Sequence, residues 1–243
     1  MATIVTAFMT NINRIDFRSA EKYIELGKKL LSQSIPTVCF LEKEIYDKYF
    51  LEDILLYPYT SFQLFERNDN YLMKYETQLT QYRVDSDNPT KDTPGYMFTQ
   101  CHKTEWVKLA IESNPFNTTD FIWIDFGIFH MIRDEMAFAI HLEKMTRKKY
   151  DRIRIASCTD PNADCRTDIY HRISWFFAGS VFGGPAHKLV EFADMMKGIC
   201  LELIETKQHL MWEINIWYLL HKRQPEMFDP YRADHNISIM DHY

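Results

Sequence analysis

The sequence predicts an α/β protein, with a mostly parallel central sheet and helices on both faces. Three observations carry this. Short apolar runs recur along the chain, as in TIVTAF (3–8), TVCFL (37–41) and DFIWI (120–124). They read as strands buried within a sheet. Helical patterns separate them, and strand–helix alternation is the signature of a parallel sheet.

The elements follow in order. Residues 3–8 form a first buried strand, followed by the polar loop TNINRIDFR. A helix over about 19–33 has Ser19 as candidate N-cap and Tyr23, Leu26, Leu30 and Leu31 on its apolar side, with Pro36 beyond it. Strand 37–41, a helical stretch over about 43–55 and strand 60–65 come next. Residues 68–80 read as helical, and VDSDNPTKDTPG (84–95), polar and with two prolines, reads as a loop suited to closing over a ligand. KTEWVKLAIESN (103–114) is helical, with Trp106, Leu109 and Ala110 on one face. Strand 121–125 follows, then a charged helix over about 131–147 and strand 153–157. WFFAGSVFGG (175–184) reads as a strand leading into a Gly-rich turn, and Pro185 is placed to begin a long helix over 186–206. A last helix covers about 212–221, and the tail, rich in aromatics and histidines, reads as irregular and as a second candidate lid.

With 243 residues, 7 Gly, 9 Pro, no repeat and no low-complexity segment, the chain is expected to be a single domain over 1–243. Its 46% hydrophobic and 26% charged residues are those of an ordinary soluble globular protein. A net charge of −6 argues against nucleic acid as partner. No apolar run is long enough to cross a membrane, and the N-terminus lacks the features of a signal peptide. Five cysteines without CxxC spacing are expected to be free thiols in a reducing compartment, so the chain is expected to be cytoplasmic. The sequons at Asn117 and Asn236 are then chance matches.

The stretch DFIWIDFGIFH (120–130) is the most informative. An acid at the carboxyl end of a buried strand points into the crevice where α/β proteins bind ligands, so Asp125 is a candidate metal or diphosphate residue. It is equally a cap for the following turn. Thr6, Ala7 and Phe8, at the end of the first strand, are candidates for contact with a base or ribose, and Arg14 for a phosphate or a surface salt bridge. Lys103 begins a helix, where anions bind, or is simply solvated. Gly179 and Ser180, with Trp212 and Glu213, suggest a sugar or acceptor subsite. The glycine permits close backbone approach and Glu213 is a candidate general base, although Glu213 also suits its own helix terminus. His235 is a candidate metal ligand or a solvated tail residue. P-loop, GxSxG and HExxH motifs are absent.

Taken together, IVTAF with NINR, the K-x-EW-x3-AI-x2-NPF run (103–116), WIDFGI (123–128), FFAGSVFGG (176–184) and WEINIWYLL (212–220) resemble the HtrL/YibB-like family. Its members occur around bacterial surface-polysaccharide genes and in some large DNA viruses, and a viral source would move the compartment to the host cytoplasm. The resemblance implies a Rossmann-like GT-A sandwich and a glycosyltransferase of hexosyltransferase type. It implies a nucleotide-sugar donor, with UDP-sugar expected, and a glycan or glycoprotein acceptor. It further implies Mn²⁺ or Mg²⁺ on a D-x-D motif. That motif falls on Asp125-Phe126-Gly127, which lacks the second acid, so a water or a tail residue such as His235 is invoked to complete the metal site. Glu213 is then the expected base if the reaction inverts configuration, and positions the acceptor or donor sugar if it retains it. The alternative is a non-catalytic nucleotide-sugar or glycan-binding protein on the same fold.

Overall fold

The computed structural model describes residues 1–10, 19–79 and 93–243. Seven strands form one sheet in the order β3-β2-β1-β4-β6-β5-β7. They are β1 (Thr3–Phe8), β2 (Thr37–Leu41), β3 (Thr60–Leu64), β4 (Asp120–Ile124), β5 (Ile153–Ser157), β6 (Phe177–Pro185) and β7 (Phe228–Arg232). Only the pairs made by β6, with β4 and with β5, are antiparallel. The others are parallel, so the Rossmann-like α/β sandwich expected from the sequence is the observed architecture.

The strand sequences explain why both faces are covered. In β1, Ile4 enters one core and Val5 the other. In β4, Phe121 and Trp123 face one layer while Ile122 and Ile124 face the opposite one. Such strands lack a solvent face, and helices must bury both sides. Helices α3 (Pro94–Cys101), α4 (Lys103–Ser113), α6 (Ala186–Lys207) and α7 (Glu213–Arg223) supply the layer containing Trp106, Phe192 and Trp217. Helices α1 (Ala20–Leu31), α5 (Glu135–Arg147) and α8 (Ser238–Asp241) supply the layer containing Leu30, Phe138 and Ile239. The short α2 (Lys43–Tyr49) belongs to a smaller cluster around Phe50.

Ser19 caps α1 as expected, accepting from the backbone N–H of Lys22 at 3.3 Å. Four expectations need correction. The helical stretch 43–55 ends as α-helix at Tyr49 and closes with a 3₁₀ turn at Ile54–Leu56. Residues 67–75 hold only two 3₁₀ turns, because Glu66, Asp69 and Asn70 bond locally to the backbone and compete with a continuous helix. Gly183 and Gly184 are not in a turn: β6 continues through them, and Gly183 stands opposite both Ile122 and Arg154. The tail is not irregular. Residues 228–232 pair in parallel with β5 and close the sheet at that edge. Most of the loop expected at 84–95 lies outside the described residues.

Candidate functional site

From β1 the chain builds outward through β2 and β3, then returns to place β4 on the other flank of β1. This reversal leaves a crevice beyond the carboxyl ends of β1 and β4, the position where open α/β sheets bind ligands. A cavity of about 290 Å³ lies there. It is lined by Ala7 and Phe8 from β1, Tyr23 from α1, Tyr96, Thr99 and Gln100 from α3, Lys103 and Trp106 from α4, and Trp123, Asp125, Gly127 and His130 from β4 and its following turn. Phe8 stacks between Tyr23 (5.7 Å) and Phe126 (5.1 Å), giving one aromatic wall. Trp106 and Trp123 stack at 5.9 Å with an interplanar angle of 8°, giving another.

The polar centre is an ionic cluster. Lys103 Nζ lies 3.1 Å from Asp125 Oδ1 and 3.0 Å from Glu213 Oε1. It also donates to the carbonyl oxygen of Gly179 at 3.1 Å. Trp123 Nε1 donates to the same Asp125 oxygen at 2.7 Å. The side chains of Lys103 and Glu213 are each 4% exposed, whereas that of Asp125 is 29% exposed. Burial pulls the Lys103 ammonium down, but Asp125 and Glu213 outweigh it and its pKa is raised above the ordinary lysine value. The lysine therefore stays charged. Asp125 is the carboxylate that faces the cavity, while Glu213 contacts the far side of Lys103 and is not part of the cavity wall.

Local sequence explains how these groups meet. The backbone N–H of Asp125 donates to the Ser180 carbonyl at 3.0 Å, so the end of β4 is registered on β6 one residue beyond the Ile124–Val181 pair. Gly179 then lies against the start of α7. A Cβ on Gly179 would collide with Glu213 Oε1, so the absent side chain is what admits the carboxylate. Glu213 is the first residue of α7, where the helix dipole favours a negative charge.

The predicted residues thus fall into groups. Ala7, Phe8, Lys103 and Asp125 line the cavity. Gly179 and Glu213 hold Lys103, and Ser180 holds the Asp125 backbone. Thr6 is fully buried in β1 and Trp212 is buried at the N-cap of α7, touching the cavity residue Tyr96 at 5.1 Å. Arg14 lies outside the described residues. His235 is exposed and packs on Trp175 at 4.8 Å, which packs on Trp212 at 6.1 Å, so two rings separate it from Tyr96.

Cavity residues not read from the sequence include Tyr23, Tyr96, Thr99, Gln100, Trp106 and His130. Thr99 and Gln100 sit on α3, a helix that the sequence reading assigned in part to a loop. The Thr93-Pro94 pair was its available signal, because the Thr93 hydroxyl caps the helix by accepting from the Tyr96 N–H at 3.2 Å and Pro94 occupies its first turn.

The described residues do not fit a divalent ion bound by Asp125 and His235. Asp125 Oδ1 already serves Lys103 and Trp123. The second D-x-D position is Gly127, where a Cβ would come within 2.7 Å of the Tyr23 ring, so that ring fills the space of a second acid. Among the described residues no group of three or more His, Cys, Asp or Glu side chains is arranged to hold a metal.

Mouse xyloside xylosyltransferase 1, in its apo form, is similar over 95% of this chain and 84% of that chain, at 10% identity and a TM-score of 0.45. The 4-diphosphocytidyl-2C-methyl-D-erythritol synthase of Anaerococcus prevotii is similar over 98% of this chain and 89% of that one, at 9% identity and a TM-score of 0.45. HddC of Yersinia pseudotuberculosis is similar over 96% and 90%, at 10% identity and a TM-score of 0.42. No curated protein matches at the sequence level. The family model described as a bacterial protein of unknown function (HtrL_YibB) matches residues 42–236, which include α3, α4, the Asp125 turn, β6 and α7, and the chain belongs to that family.

Proposed function

We propose that the protein is a glycosyltransferase that moves a sugar, of hexosyl type, from a nucleoside-diphosphate donor to a hydroxyl of a glycan or glycoprotein acceptor. A UDP-sugar is the expected donor. The observation that carries this reading is Asp125, a carboxylate clamped by a buried lysine and turned into an aromatic-walled cavity at the sheet's switch point. Aromatic faces suit the flat or apolar sides of bases and sugars, and a fixed carboxylate suits their hydroxyl groups.

In such a transfer the acceptor oxygen bonds to the anomeric carbon. The bond from that carbon to the diphosphate breaks, the nucleoside diphosphate leaves with the electron pair, and the acceptor hydroxyl gives up its proton. Asp125 is the described carboxylate with access to the cavity, and it would accept a hydroxyl hydrogen bond or that proton. Lys103, 3.1 Å away, holds it in orientation. Glu213 is a positioning residue in this reading, because Lys103 stands between it and the cavity.

A second reading, a non-catalytic nucleotide-sugar or glycan-binding protein, is favoured by one observation: Asp125 is the sole carboxylate among the cavity-lining residues described. A thermal-shift screen of nucleoside diphosphates and nucleotide-sugars, followed by donor-turnover assays on the hits, separates the two. Stabilisation by one donor with turnover that Asp125→Asn abolishes supports the transferase. Stabilisation without turnover on any glycan acceptor supports the binding protein. No stabilisation by any donor rejects both.

A further inference from the structure

Three oxygens surround the Lys103 nitrogen: Asp125 Oδ1 at 3.1 Å, Glu213 Oε1 at 3.0 Å and the Gly179 carbonyl at 3.1 Å. Two carboxylates and a backbone carbonyl are the ligand set of a hard cation. Here a tethered ammonium fills their centre, and its three N–H donors match the three oxygens. The lysine cannot easily leave. It is anchored at the start of α4, nearly fully buried, and its departure would strand two carboxylates, one of which already has a buried oxygen, Oε2 of Glu213, without a partner among the described residues.

We infer that Lys103 is a built-in cation that takes the place of a divalent metal at this site, so that the native protein does not bind Mn²⁺ or Mg²⁺ through Asp125. A second positive ion on Asp125 would sit beside the ammonium, 3.1 Å from the same carboxylate oxygen, where like charges repel. Gly127 provides no second acid to offset that repulsion, and Tyr23 blocks the space for one. The inference concerns the ionic cluster alone and does not depend on the transferase reading.

The test uses Mn²⁺ alone, without nucleotide, on the full chain. Free Mn²⁺ gives an electron paramagnetic resonance signal that is lost on binding. The wild type is expected to show no loss that Asp125→Asn removes. Lys103→Ala is expected to gain a site, because Asp125, Glu213 and the Gly179 carbonyl then surround an open position reached from the cavity. Its signal loss should exceed that of the wild type at least tenfold in affinity, and Mn²⁺ should raise its melting temperature but not that of the wild type. Stoichiometric Mn²⁺ binding by the wild type that vanishes in Asp125→Asn overturns the inference, whether or not Lys103→Ala folds. So does a folded Lys103→Ala that neither binds nor is stabilised by Mn²⁺.

Discussion

Lys103 carries opposite obligations at the residue scale. Its helix could have presented it to solvent, yet it is 4% exposed and serves two carboxylates. Removing the cation leaves two buried or half-buried negative charges facing each other, whereas neutralising Glu213 leaves Lys103 still paired with Asp125. Lys103→Met is therefore expected to cost about 3–5 kcal/mol, the range for breaking a buried pair, and Glu213→Gln distinctly less. Urea unfolding of both variants checks the order. Equal losses, or a larger one for Glu213→Gln, would contradict the geometry. The participants Asp125, Lys103, Gly179 and Glu213 were all legible as candidates in the sequence. That Asp125 faces the ligand while Glu213 stands behind the lysine was not, because each begins or ends an element and only the packing of α4 and α7 on β4 and β6 orders them.

Among the elements, α4 shows how a local signal is used in full. It ends at Asn114, which is left-handed (φ 34°) and closes the turn with its N–H on the Ala110 carbonyl. The Asn114 side chain also accepts from the Thr118 N–H and donates to the Thr118 carbonyl, both at 3.0 Å, fixing the turn that enters β4. Asn114→Ala loses both bonds and strains the backbone, so a loss of about 1–2 kcal/mol is expected, with Asn114→Gly recovering the part due to the left-handed conformation. Thermal melts of the two variants would show this ranking, and an alanine variant as stable as the glycine one would refute it. The strands and the long helices were readable because burial imposes periodicity on them. The 3₁₀ turns over 67–75 and β7 were not, because local side-chain bonds or a distant strand decide them.

For the molecule as a whole, His102 links acidity to global stability. Its ring is packed among Phe65, Tyr71 and Trp106, and neither ring nitrogen has a partner among the described residues. Burial, reinforced by Lys197, pushes its pKa down to about 3. The unfolded chain binds a proton there near pH 6.5 while the folded chain does not, so the unfolded state holds more protons between these values. Stability is then fully present above about pH 6.5 and falls as the pH drops toward 3. His102→Leu is expected to flatten this decline between pH 6 and 4 when unfolding free energy is measured against pH. An unchanged slope would mean that another group carries the acid sensitivity.

The sequence by itself determined the α/β class, the buried strands and the position of Asp125 at a strand end, because each follows from short-range apolar pattern. It also held the family resemblance, which the match over residues 42–236 bears out. Only the tertiary structure decided the strand order that opens the crevice between β1 and β4, the continuation of β6 through its glycines, and the enclosure of Lys103 by three oxygens. These depend on contacts between residues far apart in the chain, 110 positions in the Lys103–Glu213 bond, and no local pattern in the chain encodes such a distance.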